Sequence, residues 1–153
     1  MHILELKVPP VVIVLFIAVL MWLVSWAMPG FGFVLPVRYL LAVSVGVAGA
    51  VITSLGVLSF RRAKTTVNPM KPDTSSSLVL SGVYAFSRNP MYLGFLLVLV
   101  GWAIFLSNAL AFLILPVFII YMNRVQIGPE ERALTSLFGQ AFVAYQSRVH
   151  RWL

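Results

Sequence analysis

The chain has 153 residues, 61% of them hydrophobic and only 10% charged, with a formal net charge of +7 and no Cys. That balance excludes an ordinary soluble globular domain, and the lack of Cys excludes a disulfide frame, a thiolate metal site and a cysteine nucleophile. The excess positive charge is clustered: Arg61, Arg62, Lys64, Lys71 and Arg88 share one connection, and Arg124, Arg132, Arg148 and Arg151 follow the last apolar run. It is therefore read as membrane orientation rather than nucleic-acid binding, with both basic regions on the cytoplasmic side and little but Arg38 opposite.

The first predicted span covers residues 10–28. Its apolar core is too long for a signal peptide, and no Ala-x-Ala site precedes Pro29-Gly30, so a retained helix is expected. Pro29-Gly30-Phe31-Gly32 then breaks it. The second span covers residues 37–60. There Ala42, Gly46, Ala50 and Ser54 recur every four residues, a stripe of small side chains on which another helix can pack closely.

A long connection follows, residues 61–89, rich in Pro, Ser and Thr. Loops of that length are usually functional or disordered. Leu78-Val79-Leu80, Tyr84 and Phe86 give its second half an apolar character, so it is expected on or in the membrane interface. The third span covers residues 90–107. Asn89 suits its N-cap, and Pro90 suits its first position, where no amide donor is needed. The fourth covers residues 109–126, so spans three and four must be antiparallel neighbours. Pro116 should kink the fourth and could widen a cavity there.

Gly128-Pro129-Glu130-Glu131 reads as a stop and a new start, with the acids complementing the positive end of the next helix. Leu134, Phe138, Ala141, Phe142, Tyr145, Val149 and Trp152 form an apolar stripe along a predicted amphipathic helix, residues 129–152. Tyr145 is assigned to packing and His150 to the surface. The expected architecture is a single all-α membrane domain: four transmembrane helices and a C-terminal amphipathic helix.

Because the hairpin returns the chain to its starting side, Arg88 and the Glu pair should meet. The segment Gly82-Val83-Tyr84-Ala85-Phe86-Ser87-Arg88-Asn89-Pro90-Met91-Tyr92-Leu93-Gly94, followed by Glu130-Glu131-Arg132-Ala133-Leu134 and Phe138-Gly139, resembles the isoprenylcysteine carboxyl methyltransferase and phospholipid methyltransferase superfamily. The likeness covers residues 67–152, and Thr65-Thr66-Val67-Asn68-Pro69 resembles bacterial members. The resemblance implies a membrane methyltransferase that takes S-adenosylmethionine from the cytoplasm and a lipophilic acceptor from the bilayer. The acceptor would be a lipid amine, thiol or carboxylate, and a prokaryotic cytoplasmic membrane is expected.

Carried over by motif, Gly82, Tyr84, Arg88, Asn89, Pro90, Gly94, Glu130 and Glu131 are candidate cofactor-binding residues, with Arg88 and Tyr92 the candidate catalytic pair. The chemistry is coherent: a carboxylate can hold the cofactor's ammonium, an Arg or a helix start its carboxylate, and Tyr84 or Tyr92 can lie near its sulfonium. Asn89 stands where the commonest motif has His, and Asn cannot titrate near neutral pH, which weakens a base at that position. The rivals are a membrane reductase of sterol-reductase type using NADPH, which shares a similar C-terminal architecture, and a non-catalytic membrane scaffold.

Overall fold

The computed structural model describes residues 5–63, 70 and 75–153; the Thr65–Pro69 stretch lies outside them. Among the described residues the fold is all-α. The helices are α1 (Pro10–Ala27), α2 (Arg38–Arg62), α3 (Pro90–Leu106), α4 (Ala109–Tyr121), α5 (Gly128–Phe138) and α6 (Gln140–Gln146). Short 3-10 turns occupy Pro29–Phe31 and Gly82–Ala85, and a π-helical turn occupies Met122–Ile127.

Three helical stretches are long and apolar enough to cross a membrane: Pro10–Ala27, Arg38–Arg62 and the 30 residues Ala109–Phe138. The remaining helix of the bundle, α3, has 17 residues, about 25 Å at 1.5 Å per residue, less than the roughly 30 Å of a hydrocarbon core. It is the central helix, packed on α1, α2 and α4. The chain is an integral membrane helical bundle. The described N-terminal segment, residues 75–89 and the C-terminal segment gather at one end, while Pro29–Phe31 and Ser107-Asn108 lie at the other.

The α2–α3 contact is the most extensive in the bundle, and it is made backbone to backbone. A Cβ on Gly49 would stand 2.5 Å from the Gly94 carbonyl, and one on Gly101 would stand 2.8 Å from the Ala42 carbonyl. In lipid no hydrophobic force draws helices together, so this close van der Waals approach is what joins them. The small-residue stripe differs from the expected one. It runs through Ala42, Gly46, Gly49, Thr53 and Gly56, while Ala50 and Ser54 are exposed. A spacing of four advances about 40° around a helix at each step, so such a stripe drifts off the contact; alternating four and three stays on it.

The expected break at Gly128-Pro129 does not occur. Gly128 is helical (φ −58°, ψ −49°), and its amide reaches back five residues to the Asn123 carbonyl, so helix continues through the π turn into α5. Pro129 cannot supply the amide that an α-helix would aim at Val125, and the Val125 carbonyl accepts from the Leu6 amide at 3.3 Å. The single C-terminal helix is also corrected. It breaks at Gly139 (φ 50°, ψ −127°), resumes, and ends at Gln146. Of the expected stripe, Phe142 and Tyr145 are buried while Ala141 is exposed.

Candidate functional site

A cleft of about 80 Å³ opens where the pre-α3 segment meets α5 and α6. Its polar side is Tyr84, Arg88, Asn89, Tyr92, Glu130 and Glu131; its apolar side includes Phe60, Val79, Met91, Leu134 and Phe142. No residue of α4 lines it, so Pro116 does not shape this cavity.

The two adjacent acids face different partners. The Glu130 Oε1 accepts from the Tyr92 hydroxyl and from the Gln126 Nε2 at 2.7 Å. Gln126 is 2% exposed, and the π turn carries it. Glu131 meets two guanidiniums. Arg151 grips it with both prongs, Nε to Oε1 at 3.1 Å and Nη2 to Oε2 at 2.5 Å. The Arg88 Nη1 lies 2.9 Å from Oε1, but that N–H is not aimed along the line. The Arg88 Nε and Nη1 are thus buried without a hydrogen-bond acceptor among the described residues. One carboxylate, Glu131, thus stands between two guanidiniums at the cleft wall.

The loop before α3 is built around Tyr84. Gly82 takes a φ of +65° to open the 3-10 turn, a conformation that disfavours a side chain. Tyr84 is buried, its ring edge-on to Phe60 at 5.3 Å, and its carbonyl accepts from the Tyr145 hydroxyl at 2.6 Å. Burial is the main reason the Tyr84 phenol is raised far above its ordinary range and the Tyr145 phenol pushed up to about 12, so both stay protonated donors at neutral pH. Of the apolar loop residues, Val79 turns into the cleft, while Phe86 is exposed.

The structure brings together Tyr84, Arg88, Asn89, Tyr92, Glu130 and Glu131. Gly82, Pro90 and Gly94 do not line the cleft. Pro90 begins α3, and Gly94 packs on α2, where a Cβ would meet the Thr53 Oγ1 at 2.1 Å. Asn89 holds the N-cap position without capping: its side chain makes no bond to its own helix. Its Nδ2 donates instead to the Arg151 carbonyl at 2.9 Å, and its own amide donates to the Ser87 Oγ at 3.1 Å. Tyr145, assigned above to packing, is a wall of the cleft as well as a buried residue. Sequence reasoning missed Gln126 and placed Arg151 only in the basic cluster after the last apolar run. A polar residue one helical turn before Glu130, at the end of an apolar run, was the available signal for Gln126.

Comparison with known proteins agrees with this reading of the motif. The model of the family described as phospholipid methyltransferase matches residues 37–141. An uncharacterized protein of Haemophilus influenzae is 44% identical over 63 residues, 41% of this chain and the whole of that protein. Protein-S-isoprenylcysteine O-methyltransferase B of Arabidopsis thaliana is 28% identical over 103 residues, 67% of this chain and 52% of the plant protein. The Saccharomyces cerevisiae protein-S-isoprenylcysteine O-methyltransferase is 32% identical over 82 residues, 52% of this chain and 33% of its own. The chain thus spans about half the length of the plant relative and a third of the yeast one. With its family model covering residues 37–141, the chain belongs to the phospholipid methyltransferase family.

Proposed function

We propose that this protein transfers a methyl group from S-adenosylmethionine to a lipophilic acceptor within the membrane, at the cleft between the pre-α3 segment and α5. The observation that carries the reading is the state of Arg88. Two of its N–H groups are buried and unsatisfied beside a carboxylate that Arg151 already holds. Leaving a buried donor unmade costs about 1–3 kcal/mol, and a ligand carboxylate in the cleft would give this guanidinium a charge-assisted acceptor. Membership of a methyltransferase family and likeness to isoprenylcysteine O-methyltransferases support S-adenosylmethionine as that ligand.

The residues fit the cofactor's charges. Arg88 would take its carboxylate, and Glu130, facing the same cleft, would take its ammonium. The rings of Tyr84 and Tyr92 would lie toward the sulfonium. Tyr92 and Gln126 both donate to Glu130 Oε1, which fixes the carboxylate and leaves Oε2 for a ligand. The bound cofactor supplies a methyl group on sulfur that is already activated for displacement. The chain's own part is alignment of donor and acceptor and exclusion of water by the apolar side of the cleft. Among the candidate acceptors, a lipid amine, thiol or carboxylate, the apolar wall accommodates the chain that each would carry.

Calorimetric titration of the purified protein with S-adenosylmethionine and, separately, with NADPH tests the reading. Saturable binding of the first alone is expected; binding of NADPH alone would turn it toward a reductase, and binding of neither toward a scaffold. Glu130→Gln and Glu131→Gln keep shape and remove charge. At least one should weaken S-adenosylmethionine binding about ten-fold or more, the loss of one charge-assisted hydrogen bond. Two folded variants that bind as the parent does would reduce the acids to helix-dipole partners.

A further inference from the structure

We infer that Asn89 is a positioning residue that fastens the C-terminal tail, residues 150–153, as a wall of the cleft, and so keeps Arg151 on Glu131 and the Arg88 donors available. The inference rests on the cofactor reading above. It begins from where α6 stops. Beyond Gln146 the chain has one further turn and then no helix, so its last residues depend on contacts made elsewhere.

Those contacts converge on the site. The Arg88 amide donates to the His150 carbonyl at 3.0 Å, and the Asn89 Nδ2 donates to the next carbonyl, Arg151, at 2.9 Å. The Arg151 side chain holds Glu131, and the Trp152 Nε1 donates to the Asn123 Oδ1 in the π turn at 3.1 Å while the ring packs on the core. Two consecutive tail carbonyls are thus taken by two consecutive residues at the start of α3.

The consequence lies in Glu131. It has two oxygens, and Arg151 uses both. Should the tail detach, Arg151 leaves, Glu131 turns its lone pairs to Arg88 at 2.9 Å, and the donors meant for a ligand are spent within the protein. Asn suits the fastening. Its amide is a permanent donor, and it neither gains nor loses a proton with pH, so this tie does not change with pH.

Asn89→Ala removes the donor, and Trp152→Phe removes another of the tail's ties while keeping an aromatic ring. Each is titrated with S-adenosylmethionine and with 5′-methylthioadenosine, which keeps the nucleoside and lacks the carboxylate and ammonium. Both variants should lose S-adenosylmethionine affinity by about three- to ten-fold, the worth of one net hydrogen bond, with 5′-methylthioadenosine affinity unchanged. In an Arg88→Lys background, Asn89→Ala should add little, since both act on the same donors. Hydrogen exchange at the Arg88 amide, whose acceptor is the tail, should speed up in both variants with no ligand present. Unchanged exchange, or equal losses for the two ligands, would overturn the inference. A parent that shows no S-adenosylmethionine binding overturns the cofactor reading instead, and the exchange measurement still decides whether Asn89 holds the tail.

Discussion

The two ends of the α3–α4 hairpin each place an asparagine just before a helix, and they spend it differently. At the far end, the Asn108 Oδ1 accepts from the Leu110 amide at 3.0 Å and caps α4, while its Nδ2 donates to the Met28 carbonyl at 3.0 Å and ties α1 to the turn. At the cleft end, Asn89 makes no cap; its Nδ2 crosses 62 residues of sequence to the Arg151 carbonyl. The far turn is closed and self-satisfied: Asn108 is 2% exposed, and the Ser107 carbonyl accepts from Phe33. The cleft end leaves two Arg88 donors unsatisfied. A polar residue in the same local position thus completes structure where no ligand comes, and supports a site where one would.

Gly94 tests where the boundary between those two uses falls, and it carries the largest expected effect. The motif places Gly94 beside the site, but its contacts are with Thr53 and Gly49 of α2. Gly94→Ala puts a Cβ 2.5 Å from the Gly49 carbonyl, and backbone cannot yield there as a side chain can. Overpacking of this kind costs about 1–3 kcal/mol or more. A marked fall in thermal stability in detergent is expected; unchanged stability with lost cofactor affinity would return Gly94 to the site.

Arg88→Lys comes next. Lys keeps the charge and an interfacial anchor but loses the planar fork. Normal insertion and stability are expected, with a fall in S-adenosylmethionine affinity of about ten-fold or more. A Lys variant with unchanged affinity and methyl transfer would leave Arg88 as a membrane anchor, and the contrast between the hairpin ends would vanish.

Asn108→Ala is the smallest change and the mirror of Asn89→Ala. Losing the cap should lower stability by about 0.5–2 kcal/mol, read as a shift in the thermal midpoint. Cofactor affinity should stay at the parental value, because nothing at the far turn touches the cleft. Equal ligand effects from the two asparagines would show that both act only through the stability of the hairpin.

Much of the architecture was legible because apolar runs long enough to span a membrane have few alternatives. Helices expected at 10–28, 37–60 and 90–107 appear as Pro10–Ala27, Arg38–Arg62 and Pro90–Leu106, the last a shorter apolar helix than the expected span. The predicted fourth span, 109–126, was misjudged at its end. Gly and Pro punctuate water-exposed chains, yet here the π turn absorbs the bond that Pro129 cannot make. The drifted small-residue stripe was half legible: the residue types were right, and which of them meet α3 depends on the neighbour's own glycines.

For the cleft, local sequence determined the chemistry available: one Arg, two tyrosines and two adjacent acids, returned to one end of the bundle by a short hairpin. What each acid does was decided only in three dimensions. Glu130 and Glu131 are neighbours in sequence, but successive residues on a helix point about 100° apart. That rotation sends one to Tyr92 and Gln126 and the other to Arg151. The roles of Gln126, Tyr145 and Asn89 follow from the π turn, the break at Gly139 and the returning tail. Each comes from contacts between residues distant in sequence, and no local propensity encodes those.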